Sequence, residues 1–342
     1  MNKLSYTLFI FVLGVTILPS TIFAQSFQSL GGQHDSIIVE TTPLHPGPNE
    51  TVNINIQNYS TDLDRSDISW SLNGKISSKG IGKKQFQFRT SKVGSISNIL
   101  IVVVTPEGVS FQKALNIRPA TVDLIWEAQS YMPPFYKGKA YYPYQGVVKI
   151  VAIPNIVTEG GGTISPKNII YTWTVNGSIN QEASGYGKNY IYFKGEIPLK
   201  AGRIEVEVST LDKTYIASNQ TSFAPQSPEV VFYEDNPIYG ILYNKALTGT
   251  FHLKDLEIKI TAIPYFIGTT ERNGSGLMYE WGMNNKSTGI SSNKDNLIFR
   301  QEKGAEGVSL ISLQISNPTE IFQFSKSNLS INFKGASSEV QF

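Results

Sequence analysis

The residues able to do chemistry are few. His34, His45 and His252 are the only imidazoles in the chain, and none stands at a spacing that would let it share a metal ion with another. There is no cysteine, which removes thiolate nucleophiles, cysteine-based zinc sites and disulfides together. Asp62-Leu63-Asp64-Arg65-Ser66-Asp67 starts like a calcium loop, but its sixth place is not glycine and its twelfth, Asn73, is not glutamate. It reads as an ordinary polar loop. Gly160-Gly161-Gly162 leads into Thr163-Ile164-Ser165-Pro166 rather than a helix carrying Lys-Ser/Thr, so it reads as a flexible loop and not a phosphate cradle. No nucleophile elbow is present, and context marks out no pair of carboxylates. The chain is therefore expected to be no enzyme, with no catalytic, cofactor-binding or metal-binding residues.

One stretch could bind something. Tyr131-Met132-Pro133-Pro134-Phe135-Tyr136-Lys137-Gly138-Lys139-Ala140-Tyr141-Tyr142-Pro143-Tyr144 concentrates aromatic side chains. Exposed rings of this kind stack on sugars or anchor a protein partner. Tyr131, Phe135, Tyr136, Tyr141, Tyr142 and Tyr144 are the candidate contacts. A relative occurs later, Pro237-Ile238-Tyr239-Gly240-Ile241-Leu242-Tyr243-Asn244-Lys245-Ala246. Its recurrence at the same place in a repeat favours a structural role, such as packing one domain's loop onto the next.

The elements that would position these rings are strands. Ile68-Ser69-Trp70-Ser71-Leu72-Asn73-Gly74 recurs as Tyr171-Thr172-Trp173-Thr174-Val175-Asn176-Gly177 and as Tyr279-Glu280-Trp281-Gly282-Met283-Asn284-Asn285. The tryptophans lie 103 and 108 positions apart, about the length of one immunoglobulin-like domain. Downstream come Gly80-Ile81-Gly82-Lys83, Gly185-Tyr186-Gly187-Lys188 and the looser Gly289-Ile290-Ser291. Strands ending in Phe88-Arg89, Phe193-Lys194 and Phe299-Arg300 follow, then Gly94, Gly202 or Gly307 and another apolar strand. Alternation with period two puts one face of each strand on a core and the other in water. A mid-strand Trp fills the space between two sheets, and Asn-Gly after it supplies the left-handed conformations of a tight hairpin. Pro119–Trp126 and Pro225–Phe232 align as linkers, and Ser337–Phe342 echoes Ser227–Phe232. Short, partly apolar linkers predict a semi-rigid rod.

The remaining signals concern location and charge. Lys3 precedes an apolar run from Leu8 to Leu18, Pro19 breaks it, and Ile22-Phe23-Ala24 offers a cleavage site before Gln25. This reads as an export signal, the rival being an uncleaved membrane anchor. The net charge is +2 with no dense basic block, so no nucleic-acid partner is expected.

The repeated Trp strand, followed by glycine and an alternating Ile/Val strand, resembles the tandem immunoglobulin-like or PKD-like repeats of exported bacterial proteins. The resemblance implies β-sandwich spacer or adhesive modules without chemistry of their own. The expected architecture is all-β: a signal peptide over residues 1–24, then three tandem immunoglobulin-like β-sandwich domains over 25–118, 119–226 and 227–342. The expected function is that of a non-catalytic, extracytoplasmic structural or adhesive protein, secreted or held at the cell surface. Its partner would be a cell-envelope or surface-appendage protein, with membrane contact only through an uncleaved signal. The alternative is a carbohydrate-binding module protein that takes polysaccharide on the aromatics of 131–144.

Overall fold

The computed structural model describes residues 37–134, 136–195, 197, 200–268, 276–291, 295–302 and 304–333. The segment read as an export signal, Phe135 and the closing echo at Ser337–Phe342 lie outside the described residues. Apart from one 3-10 turn at Pro166–Asn168, the regular structure is all strand. The strands form three sandwiches in succession, each with its own hydrophobic core.

Domain one contains β1 (Ile38–Thr42), β2 (Thr51–Gln57), β3 (Asp67–Leu72), β4 (Lys75–Ile81), β5 (Gln85–Arg89), β6 (Ser97–Val104) and β7 (Ser110–Ile117). Its sheets run β1-β2-β5 and β4-β3-β6-β7. Domain two repeats the plan with β8 (Thr121–Ala128), β9 (Val147–Asn155), β10 (Ile170–Val175), β11 (Ser178–Ile179), β12 (Gly185–Tyr186), β13 (Tyr190–Lys194), β14 (Gly202–Ser209) and β15 (Ile216–Phe223). Here the sheets are β13-β9-β8 and β11-β10-β14-β15, with β12 also on β10. Domain three contains β16 (Glu229–Asn236), β17 (Gly240–Leu247), β18 (Thr250–His252), β19 (Glu257–Tyr265), β20 (Met278–Met283), β21 (Lys286–Ser291), β22 (Asn296–Arg300), β23 (Gly307–Ser316) and β24 (Phe324–Phe333). Its sheets run β17-β16-β19-β22 and β18-β24-β23-β20-β21, with β18 parallel to β24. Both segments read as linkers turn out to be opening strands, β8 and β16. Val122, Val230 and Phe232 are buried, and that burial draws the chain into the sheet as soon as a domain begins.

The repeated motif has a shared geometry. Trp70 and Trp173 are fully buried, and Trp70 stacks on Phe86 with ring centroids 5.3 Å apart. The indole N–H donates to the Lys83 carbonyl at 2.7 Å in domain one and to the Lys188 carbonyl at 2.9 Å in domain two. The Gly-x-Gly-Lys sequence delivers that carbonyl. Gly82 and Gly187 take φ of +68° and +73°, and a Cβ there would sit 3.1 Å from the Asp64 carbonyl and 3.2 Å from that of Lys167. Only glycine combines this conformation with so close a backbone approach.

The asparagine after each Trp does more than turn the hairpin. Asn73, Asn176 and Asn284 have φ near +50° (51°, 50° and 50°), as a type I′ turn needs. Each also makes a reciprocal pair with the sheet's neighbouring strand. Asn176 N–H donates to Arg203 O, and Arg203 N–H donates to Asn176 Oδ1, both at 2.9 Å. Asn73 pairs in the same way with Asn98, and Asn284 with Leu310.

Candidate functional site

The aromatic stretch of residues 131–144 is the connection between β8 and β9, and it forms the end of domain two that meets domain three. Its path is set by backbone bonds. Ser130 Oγ donates to Tyr141 O at 3.0 Å, Gln226 N–H donates to Tyr142 O at 2.7 Å, and Tyr144 N–H donates to Gln226 O at 3.2 Å. Tyr142 to Tyr144 thus runs beside the segment that leads into domain three. Lys139 Nζ lies 3.2 Å from the centroid of the Trp126 ring, and burial lowers its pKa, an effect opposed by Glu127.

The six predicted rings have different fates. Tyr142 is a core residue, not a surface contact. It is 2% exposed and packs edge-on against Phe193 and Phe223 at 5.8 and 5.3 Å, and burial raises its pKa. Its place in the sequence, flanked by Tyr141 and Tyr144, does not distinguish it. The chain beside it is held by a parallel bridge from Pro143 to Gln226. Tyr141 sets its ring edge-on to Phe266 of domain three at 5.5 Å. Tyr144 is half-buried, and its carbonyl accepts a bond from Gln323 Nε2 at 2.6 Å. Tyr131 is half-buried near Tyr265. Tyr136 is exposed and, with Pro133, Pro134, Leu242, Tyr243 and Tyr265, lines an open hollow of about 490 Å³. Phe135 lies outside the described residues.

Domain three answers with residues that carried no mark in the sequence. The turn between β23 and β24 presents Phe322 and Gln323. Phe322 N–H donates to Gln145 Oε1 at 2.9 Å. Gln323, 1% exposed, accepts at Oε1 from Gly268 N–H (3.1 Å) and Asn317 Nδ2 (2.9 Å) while it donates to Tyr144. Glu320 of the same turn pairs with Lys194 at 2.8 Å. Beneath the hollow, the Tyr233 and Tyr265 hydroxyls are 3.0 Å apart, and the Tyr243 ring lies 5.4 Å from that of Tyr233. Burial, reinforced by the Tyr233 bond, raises the Tyr265 pKa. Tyr243 comes from the second aromatic stretch, so the two related stretches meet across this hollow. Their conformations differ: 237–246 forms most of β17, whereas the described residues of 131–144 form no strand.

The first junction is made differently. His45 Nε2 lies 3.3 Å from Glu207 Oε2, and Arg118 pairs with Glu159 at 3.1 Å. Gly94 packs so closely that a Cβ would lie 2.9 Å from Val157 Cγ1.

The weaker candidates have local partners. Asp64 pairs with Lys84 at 2.8 Å and Asp67 with Lys79 at 3.3 Å, so the acidic loop directs two of its carboxylates at lysines. The triple glycine sits in a tight turn, where Thr158 N–H donates to Gly162 O at 2.9 Å. Among the described residues, no helix is long and apolar enough to cross a membrane.

No family model matches the sequence, and no curated protein matches it. Several solved structures are similar. One is the three N-terminal domains of the outer capsid protein Hoc of bacteriophage RB49, with 10% identity and a TM-score of 0.26 over 88% of this chain and 99% of that one. A second is the central fibronectin-III array of RIM-binding protein, with 12% identity and a TM-score of 0.28 over 87% and 96%. A third is a bacterial ice-binding adhesin, with 9% identity and a TM-score of 0.22 over 85% and 92%. The fold assignment rests on the strand order and pairing described above.

Proposed function

We propose that this chain is a non-catalytic, extracytoplasmic structural or adhesive protein, secreted or held at the cell surface, that works through protein–protein contacts of its tandem sandwiches. The observation that carries the reading is the use made of the aromatic stretch. Tyr142 is in the core, and Tyr141 and Tyr144 lie at the contact between domains two and three. The most conspicuous binding candidate in the sequence is thus largely committed to holding two domains together, as a spacer requires. The export signal at residues 1–24 supports an extracytoplasmic location. The partner would be an envelope or appendage protein.

Cross-linking on intact producing cells, followed by mass spectrometry of everything joined to the chain, tests this. The reading expects cross-links to envelope or appendage proteins. Recovery of the chain without any protein partner would overturn it. Polysaccharide binding at 131–144 retains a narrower basis, the hollow beside Tyr136, where two proline rings and three tyrosines converge.

A further inference from the structure

The three domains offer an internal comparison. The strand that carries Phe88, Phe193 or Phe299 as its last residue but one is the edge of its sheet in every copy: β5, β13 and β22. The phenylalanine points inward each time, so the residues one and three positions before it share one register across the copies. In domain one these are Gln87 and Gln85, and in domain three Ile298 and Asn296. Domain two has Tyr192 and Tyr190, with 53% and 49% of their surface exposed. The fold does not call for aromatic rings here, since two of the three copies build the same edge without them.

The two tyrosines stand among apolar side chains and several lysines. Lys149 of β9 lies next to them, with Nζ 5.2 and 5.9 Å from the ring centroids of Tyr190 and Tyr192. A recess of about 540 Å³ opens beside the edge, lined by both rings, Asn180, Glu182 and Lys188. A second of about 660 Å³ shares Tyr192 and Asn180 and adds Lys194 and Lys200. The two recesses adjoin at Asn180 and Tyr192, which offers a polymer two neighbouring places at this edge. Lys194 is paired with Glu320. Lys149, Lys188 and Lys200 make no ion pair among the described residues, and Lys188 donates to the Glu182 backbone carbonyl, leaving that carboxylate free of it.

We infer that this edge of domain two is a binding site for an acidic polysaccharide. Tyrosine faces take the apolar face of a pyranose ring, and ammonium groups beside them take carboxylate or sulfate. Asn180 and the Glu182 carboxylate supply a donor and acceptors for hydroxyls. Among the described residues the recesses are lined by Lys188, Lys194 and Lys200 against the single glutamate Glu182, and this excess of positive charge selects an anionic chain over a neutral one. The site touches the junction of domains two and three only at Lys194, whose partner is Glu320; the substitutions that test it fall on Tyr190, Tyr192 and Lys149, away from that pair.

The test is affinity electrophoresis of the full chain in gels containing polygalacturonate, chondroitin sulfate, a neutral glucan or polyglutamate. The expected result is retardation by at least one of the two acidic polysaccharides and by neither control. The variant Tyr190→Gln with Tyr192→Gln installs the residues domain one carries in this register, so the fold should tolerate it, as a thermal melt will show. It should weaken binding about fivefold or more, the lower bound for two lost ring contacts. Lys149→Gln should weaken binding less, and progressively less as salt is added. Binding to neither acidic polysaccharide would overturn the inference. So would equal retardation by polyglutamate, or undiminished binding by the folded double-glutamine variant.

Discussion

Gln323 of domain three donates its side-chain amide to the backbone carbonyl of Tyr144 in domain two, at 2.6 Å, and is 1% exposed. One side chain thereby joins two sandwiches while its oxygen holds Gly268 and Asn317 of its own domain. Truncation would remove the partner of Tyr144 O, Gly268 N–H and Asn317 Nδ2 together. Gln323→Ala is expected to cost about 1–3 kcal/mol. Denaturant unfolding should also separate the transitions of domains two and three more widely than in the native chain.

Trp173 and Gly187 should behave as a unit. Gly187→Ala places a methyl against the Lys167 carbonyl at a left-handed φ, and it displaces the Lys188 carbonyl that the Trp173 indole needs. Trp173→Ala is expected to cost about 3–5 kcal/mol, in the range for removing a buried aromatic. In a double-mutant cycle read by thermal melts, the combined loss should be clearly less than the sum, because the two changes disrupt one interaction.

Asn176 offers a cleaner dissection. Asn176→Gly keeps the left-handed turn but removes the bond to Arg203 N–H. Asn176→Ala loses both. The alanine variant should be the less stable by about 1 kcal/mol, the penalty for a Cβ in this conformation. Denaturant midpoints of the two variants measure the difference.

Alkaline stability should depend on Tyr171. Its ring is fully buried, its hydroxyl donates to Pro166 O at 3.0 Å, and burial pushes its pKa up to about 12 from the ordinary 10.0. The unfolded chain ionises this phenol first, so its contribution is complete below pH 10 and declines as pH rises towards 12. Tyr171→Phe should lose about 1 kcal/mol at neutral pH, for the missing hydrogen bond. Its stability should also fall less steeply above pH 10, as read by denaturant unfolding across the alkaline range.

The sandwiches were legible in the sequence because their signals are local and periodic. Alternation, the Trp strand and the asparagine turn after it each act within a few residues, and each recurs three times, the turn as Asn-Gly twice and as Asn-Asn in the third copy. What the Gly-x-Gly-Lys repeat is for was not legible, since a carbonyl reaching an indole 13 or 15 residues away leaves no pattern of its own. The aromatic stretch was visible as a cluster, but sequence could not separate Tyr142 in the core from Tyr136 in the open. That distinction lies in rings distant in the sequence, Phe193 and Phe223, against which Tyr142 packs. Gln323 and Phe322 had no signal at all, because a polar turn residue becomes significant only when another domain meets it. Tyr190 and Tyr192 could have been found by aligning the three edge strands and asking which copy departs from the others.

The fixed relation between domains two and three is the claim on which the spacer reading depends, and a distance distribution tests it directly. The chain has no cysteine, so Ser218→Cys on β15 and Asn328→Cys on β24, both exposed, can be spin-labelled without background and read by pulsed dipolar spectroscopy. A single narrow distribution, broadened by Gln323→Ala, is the predicted result. A broad distribution in the otherwise native chain, unchanged by Gln323→Ala, would contradict the account.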